Sequence, residues 1–144
     1  MSETITLQVG VKVALRGQDG RFLLLHRSSE KYPDIDGRWD LVGGRINPGK
    51  DLFTNLQREV REETKLNLDA EPVLIAAQDI LRTKGRHVVR LTFIGRIEGE
   101  PILDEEHDEY RWFTFDELES LPESELDIYV RDLINRGLFK KPKD

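Results

Sequence analysis

The segment Gly43–Leu68, GGRINPGKDLFTNLQREVREETKLNL, decides how this chain is read. A double glycine and a Pro48-Gly49 turn lead directly into a run with helical spacing, with Asp51 placed as its N-cap. The helix is predicted to reach about Thr64, and its last turns carry packed acid. Glu59, Glu62 and Glu63 stand three and four residues apart, which makes them neighbours on one helical surface. Each like-charge pair at that spacing costs about 0.2–0.5 kcal/mol, and acid at this end opposes the helix macrodipole. A helix built only for stability would place these residues elsewhere. Acidic runs are ordinarily solvated faces, here partly neutralised by Arg58 and Arg61; the glycine turn upstream sets this one apart.

A helical wheel sharpens the point. With ~100° per residue and Leu56 at zero, Val60 falls near ~40°, Phe53 near ~60° and Leu52 near ~320°, defining a buried stripe. Glu63 sits at ~340°, Glu59 at ~300° and Glu62 at ~240°. Glu59 and Glu63 therefore border the apolar stripe while Glu62 leans outward, so unequal metal roles are expected. Carboxylates held against an apolar wall are poorly hydrated, and a hard divalent cation with oxygen ligands is the usual compensation. Mg²⁺ is the natural choice because it binds through few carboxylates and completes its shell with waters and phosphates. Mn²⁺ is the alternative.

The segment resembles the signature of the Nudix hydrolase family: Gly, five residues, Glu, seven residues, then Arg-Glu-apolar-x-Glu-Glu-x-Gly-apolar. Read from Gly44, the chain supplies Arg58, Glu59, Val60, Glu62, Glu63 and Leu66 in register, so seven of nine defined positions match. Lys50 stands where the family has its first Glu, and Lys65 where it has its second Gly. The resemblance implies an α/β/α sandwich, a mixed sheet with flanking helices, in which the glycine loop, the helix and a later loop form the metal site. It also implies Mg²⁺-dependent hydrolysis of a phosphoanhydride in a nucleoside triphosphate or another nucleoside diphosphate derivative. The alternatives are an NDP-sugar or ADP-ribose diphosphatase, and a non-catalytic nucleotide-binding module on the same fold.

The rest of the chain is consistent with this. Its 144 residues suit one domain. The 38% hydrophobic and 35% charged residues are those of an ordinary globular protein and exclude disorder. There is no cysteine, which removes disulfides, thiolate metal sites and thiol catalysis. No apolar run approaches a membrane span and MSETITLQVG lacks the features of a secretory signal, so a cytoplasmic location is expected. A net charge of −6 argues against a nucleic-acid partner. It does not exclude a small phosphorylated substrate, because a bound cation inverts the local sign of an acidic site. A homodimer is compatible with the sequence.

In chain order, Thr4–Leu15 alternates with Ile5, Leu7, Val9, Val11, Val13 and Leu15 on one side, predicting a strand with one buried face. Gln18-Asp19-Gly20 turns it into a hairpin partner, Arg21–His26. Arg27–Gly37 reads as a surface loop and Trp39–Val42 as a short strand. Pro72–Ile80 and His87–Ile97 read as paired strands with a turn at Lys84-Gly85, followed by an acidic loop and a strand at Tyr110–Phe115. Ser124–Leu138 reads as an amphipathic helix, and the tail KKPKD is expected to fray. Strands, helix, strands and a final helix describe an α/β or α+β single domain over 1–144.

The candidate site residues follow. Glu59, Glu62 and Glu63 are expected as catalytic metal ligands, with Gly44 contributing at the head of the signature. A second set lies in DEEHDEYRW, residues 104–112, where family members commonly bring an acidic or histidine residue to the site. Glu105, Glu106 and Glu109 are candidates for an extra ligand, Glu106 foremost, and His107 for the base. The wording EEHDEYRW is similar to the loop of GDP-mannose hydrolases in this family, where a histidine is catalytic. Arg45 is a candidate phosphate clamp. Trp39 is a candidate for stacking on a base or, as strand aromatics usually do, for packing into the core. Lys84, Arg86 and His87 reach phosphate only if their hairpin tip folds over the site, and His26 is expected at a strand-end surface. Lys50 either points to solvent or pairs with Glu59 or Glu62, in which case it weakens metal binding. Lys65 would be strained at a left-handed helix end, with Asn67 as an alternative terminator.

Overall fold

A computed structural model describes residues 4–142. The strands are β1 (Thr6–Arg16), β2 (Phe22–Arg27), β3 (Trp39–Asp40), β4 (Val42–Arg45), β5 (Val73–Ile80), β6 (Arg86–Arg96) and β7 (His107–Phe113); the helices are α1 (Leu52–Thr64), α2 (Phe115–Ser120) and α3 (Ile128–Asn135). β1 is the centre. One edge runs parallel to β6 along its whole length, and β6 pairs antiparallel with β5. The other edge is shared by β4, opposite Gly10–Val13, and β2, opposite Leu15 and Arg16. β2 then pairs with both β3 and β7. The sheet is mixed, as expected.

Two apolar clusters lie on its two faces. Val11, Val13, Leu15, Leu23, Leu25 and Val42 pack with Leu56 and Val60 of α1. Ala14, Phe22, Leu24, Trp39 and Phe113 pack with Leu118 of α2 and Val130 and Leu133 of α3. This corrects the reading of the first strand as buried on one face only. Its middle is covered on both sides, while Ile5 and Leu7, at 64% and 65% exposure, extend past the helices.

α1 begins where expected. Asp51 caps it by accepting a hydrogen bond from the Thr54 amide at 2.7 Å. Leu56 and Val60 are buried, but Leu52 and Phe53 are more than one-third exposed. Their predicted place is taken by Asn55, which is 1% exposed. Asn55 Nδ2 donates to the Lys50 and Asp51 carbonyls, and its Oδ1 accepts from the Asn47 amide at 2.7 Å, so the turn folds over the first helical turn. Lys65 itself takes the left-handed conformation, φ 64°, and closes the helix; Asn67 is not needed for that.

Other boundaries shift for local reasons. The final strand is His107–Phe113 and not Tyr110–Phe115, because Thr114 and Glu117 form a capping box that starts α2. The predicted C-terminal helix starts four residues late, at Ile128, where Asp127 caps it through the Tyr129 and Val130 amides. The residues before it form a turn, closed by the Glu125 amide on the Pro122 carbonyl, and then a bridge from Leu126 to Trp39, whose amide donates to the Glu125 carbonyl at 2.9 Å. Of the tail expected to fray, Lys143 and Asp144 lie outside the described residues. Among the described residues no helix is long and apolar enough to cross a membrane.

Candidate active site

The turn between β4 and α1 creates the site. Gly43 has φ 145°, and a Cβ there would stand 2.0 Å from the Val11 carbonyl oxygen, so the β1–β4 contact requires glycine. Gly44 is bare for a different reason. A Cβ on it would lie 2.8 Å from Glu59 Oε2 and 3.0 Å from Oε1. The carboxylate of Glu59 rests on that vacancy.

The three helical acids divide as the wheel implied. The side chains of Glu59 and Glu63 are 11% and 7% exposed, and that of Glu62 is 58% exposed. Arg58 bridges the outer pair, donating to Glu59 Oε1 at 2.8 Å and Glu62 Oε2 at 3.4 Å. It also reaches the Arg45 carbonyl at 3.1 Å and Asn55 Oδ1 at 3.0 Å, which fixes the guanidinium against the turn. Glu63 Oε2 accepts from the Gly43 amide at 3.2 Å. Burial pushes the Glu63 carboxyl well above the usual carboxylate range; Lys12 offsets part of this, and Glu59 and Asp104 add to it.

The residue 104–107 loop closes one side. His107 Nδ1 stands 2.7 Å from Asp104 Oδ1 and Nε2 stands 3.8 Å from Glu63 Oε1. An ionised carboxylate only accepts, so Nδ1 carries the proton and donates it to Asp104. In the neutral ring Nε2 then keeps its lone pair toward Glu63. Glu105 and Glu106 line the same cleft, whereas Glu109 points elsewhere, on β7 opposite His26.

The cleft has a volume of about 950 Å³, and cationic side chains line it together with the acids. Lys12, Arg27, Arg45, Arg82, Arg86 and Arg90 contribute to it, with Tyr32 and Tyr129. Asp40, 2% exposed and not itself part of the lining, pairs with Lys12 at 3.2 Å, Arg27 at 3.0 Å and Arg90 at 3.1 Å. Burial alone would raise the Asp40 carboxyl, but Lys12, Arg90 and Arg27 together hold it well below the usual range. Arg90 also pairs with Asp127 at 3.3 Å. The Asp127 carboxyl is pushed up, first by burial and then by Asp40.

The sequence-derived candidates fall into two groups. Gly44, Arg45, Glu59, Glu62, Glu63, Glu105, Glu106 and His107 come together around one cleft. Trp39 does not line it; the indole is 8% exposed and packs edge-on to Phe113 at 5.2 Å and His26 at 4.9 Å, so it serves the core and is corrected as a substrate contact. Of the three hairpin-tip candidates, Lys84, Arg86 and His87, Arg86 alone lines the cleft; His87 is bound to Asp79 at 2.7 Å. His26 is half-buried and pairs with Asp108 at 2.7 Å. Lys50 is exposed and absent from the cleft lining. Asp104, Lys12, Asp40, Arg90 and Asp127 went unread as site residues. Asp104 carried one faint signal, its position three residues before His107.

The donor set fits a hard cation. It is all oxygen, two of the carboxylates are nearly dry, and Gly44 leaves room for one of them where any side chain would intrude. Among the described residues no three His, Asp or Glu side chains already converge in metal-holding geometry. Arg58 spans Glu59 and Glu62 as their counter-charge.

Comparison with known proteins agrees with this architecture. The NUDIX domain matches residues 6–133. The human 8-oxo-dGDP phosphatase NUDT18 is 33% identical over 91 residues, which are 63% of this chain and 25% of that protein. The chain therefore spans about a quarter of the length of that relative. The MutT protein of Methanosarcina mazei Go1 superposes with a TM-score of 0.78 at 29% identity, covering 94% of this chain and 95% of the other. The MutT NUDIX hydrolase of Burkholderia pseudomallei gives 0.71 at 27% identity, covering 90% and 97%. With that match across nearly the whole chain, and with the glycine turn, acidic helix and two-layered core in place, this protein belongs to the NUDIX domain family.

Proposed function

We propose that the chain hydrolyses a phosphoanhydride bond in a nucleoside diphosphate derivative, with Mg²⁺ held by Glu59, Glu62 and Glu63 and with Glu106 and the Gly44 backbone close by. Nucleoside triphosphates are the first substrates proposed, and NDP-sugars or ADP-ribose the second. The observation that carries this reading is the meeting of acidic and cationic side chains in one cleft. Poorly hydrated carboxylates and guanidinium groups line the same space, the combination that a phosphate chain with its counter-cation would engage.

The reaction adds water to phosphorus, breaks one P–O–P bond and releases one proton. When bound, Mg²⁺, or Mn²⁺ in its place, neutralises phosphate charge as a Lewis acid. The protein positions and receives. Gly44 and the Gly43 amide fix Glu59 and Glu63, and Arg58 prevents Glu59 and Glu62 from rotating away. His107, oriented by Asp104, presents Nε2 to accept the proton from the attacking water. His107 is 10% exposed at its side chain, so bulk water does not compete freely for that lone pair.

The test is chromatographic detection of the cleaved nucleotide products from a substrate panel in the presence of Mg²⁺, including triphosphates, NDP-sugars, ADP-ribose and, given the name of the human relative, 8-oxo-dGDP. Substrate-dependent turnover that falls ~100-fold or more in Glu62→Gln and Glu59→Gln is expected. Binding of these nucleotides without turnover would replace the hydrolase reading with a sensor.

A further inference from the structure

The cationic side chains of the cleft are held in two different ways. Arg27 and Arg90 are answered by Asp40 and Asp127. Arg45 and Arg86 have no side-chain ion pair or hydrogen bond among the described residues. Unpaired surface arginines are common, so that alone decides nothing. Their placement does.

Gly10 stands directly opposite Arg45 on β4 and opposite Arg90 on β6. Directly paired residues share a sheet face, and Arg86, Val88 and Arg90 alternate onto that face along β6. Gly10, Arg45, Arg86 and Arg90 all line the cleft. Gly10 is buried and its backbone is not left-handed. A Cβ there would find only ordinary contacts, Val88 Cγ1 at 3.7 Å, the Gly44 carbonyl oxygen at 3.8 Å and Arg45 Cδ at 3.9 Å. Neither strain nor crowding demands glycine. Its bare Cα leaves a gap in the cleft floor between two guanidinium-bearing strands.

We infer that Gly10, Arg45 and Arg86 form an anion subsite that receives a further phosphate group of the substrate, beyond the diphosphate that is cleaved, and so favours polyphosphorylated nucleotides over diphosphates joined to a neutral sugar. This deepens the hydrolase reading and rests on it. Like charge supports it: Arg45, Arg86 and Arg27 line one cleft, and an anion between them would relieve their mutual repulsion. Arg82 lines the same cleft but has its guanidinium 5.4 Å from the Tyr129 ring centroid, so it adds charge without being the primary ligand.

The experiment compares kcat/KM for a nucleoside triphosphate, a nucleoside diphosphate bearing a ribose 3′-phosphate and an NDP-hexose whose sugar is uncharged. Arg86→Gln and Arg45→Gln are expected to lower the value for at least one further-phosphate substrate ~10-fold more than for NDP-hexose, mainly through KM. The substrate that loses more identifies whether the chain end or the ribose carries the group. Gly10→Val is expected to do the same by filling the floor, whereas the smaller Gly10→Ala loses less. Arg21→Gln, remote and paired with Asp19 at 2.6 Å, should keep the wild-type ratio. Calorimetric titration of metal-free protein with inorganic tripolyphosphate gives a readout independent of turnover, and binding should weaken ~10-fold in Arg86→Gln. Equal losses on all three substrates, or none, with undiminished tripolyphosphate binding, would overturn the subsite. Absence of any turnover in the wild type would instead overturn the hydrolase reading.

Discussion

The carboxylate of Glu59 occupies the space in which a side chain at Gly44 would lie: a Cβ on Gly44 would stand 2.8 Å from Glu59 Oε2 and 3.0 Å from Glu59 Cδ. Glycine and acid are fifteen residues apart in sequence, yet each sets the position of the other. A catalytic group held this closely has little freedom to compensate when its support changes.

Gly44→Ala is therefore expected to displace Glu59 without unfolding the protein, because Gly44 does not have the positive φ that makes Gly43 irreplaceable. A shift of several tenths of an ångström up to one ångström at a reacting group costs up to ~100-fold in rate. Steady-state kinetics should show kcat falling by roughly 10- to 100-fold, with Tm close to the wild type. Gly43→Ala, by contrast, should lose Tm and expression together. Equal kinetics for Gly44→Ala and the wild type would mean that Glu59 does not need its present position.

Glu63 gives the site a pH signature. Its ordinary carboxyl value of 4.5 is raised in the folded protein, chiefly by burial. The folded state holds this proton more tightly than the unfolded chain, so the contribution to stability is full below 4.5 and is lost as pH rises through the folded value. Glu63→Gln removes the titration while keeping an acceptor for the Gly43 amide. In thermal melts without divalent cations, the variant should exceed the wild type near neutral pH by a few degrees, ~1 kcal/mol being worth about 3–5 °C for a domain of this size. The two should converge in acid. Mg²⁺ should raise the wild-type Tm more than that of the variant. A constant difference at all pH values would remove Glu63 as the source.

Much of this site could be read from residue spacing because its helix obeys a fixed pitch. Glu59 and Glu63 had to border the core and Glu62 had to lean out, and they do. The strands also declared themselves through alternation, up to their ends. What spacing cannot carry is contact across the sheet. Lys12 and Arg90 are 28 and 50 residues from Asp40, and the β1–β6 register together with the pairing of β3 on β2 gathers them into one ionic cluster. Trp39 was ambiguous for the same reason, since nothing local says that Phe113 will lie against its ring. Leu52 and Phe53 misled because a polar residue, Asn55, took the inward position in order to hold the turn.

The Asp40 cluster makes a further prediction. Asp40→Asn leaves Lys12, Arg27 and Arg90 crowded at the cleft floor with one buried anion fewer, and breaking a buried pair by removing one partner costs ~3–5 kcal/mol. Urea unfolding should show a loss of that size near neutral pH. Since Asp40 is held well below the usual carboxylate range, the wild type keeps this contribution until the pH falls through that depressed value. The variant should therefore remain less stable across the mildly acidic range, where ordinary carboxylates titrate. A loss below ~1 kcal/mol would place Asp40 with exposed ion pairs rather than buried ones.

Lys65 closes α1 at φ 64°, the only described residue other than glycine with positive φ. A side chain in that conformation costs roughly 1–2 kcal/mol, which glycine avoids at the expense of greater freedom in the unfolded chain. Lys65 recovers part of the cost, as its Nζ donates to the Glu62 carbonyl at 2.8 Å. Lys65→Gly relieves the backbone and loses that bond; Lys65→Ala loses the bond alone. The difference between them isolates the strain. Denaturant unfolding should place Lys65→Gly about 1 kcal/mol above Lys65→Ala and level with or above the wild type, with turnover changed less than twofold by either. If Lys65→Gly is no more stable than Lys65→Ala, the left-handed helix end is not strained by its side chain.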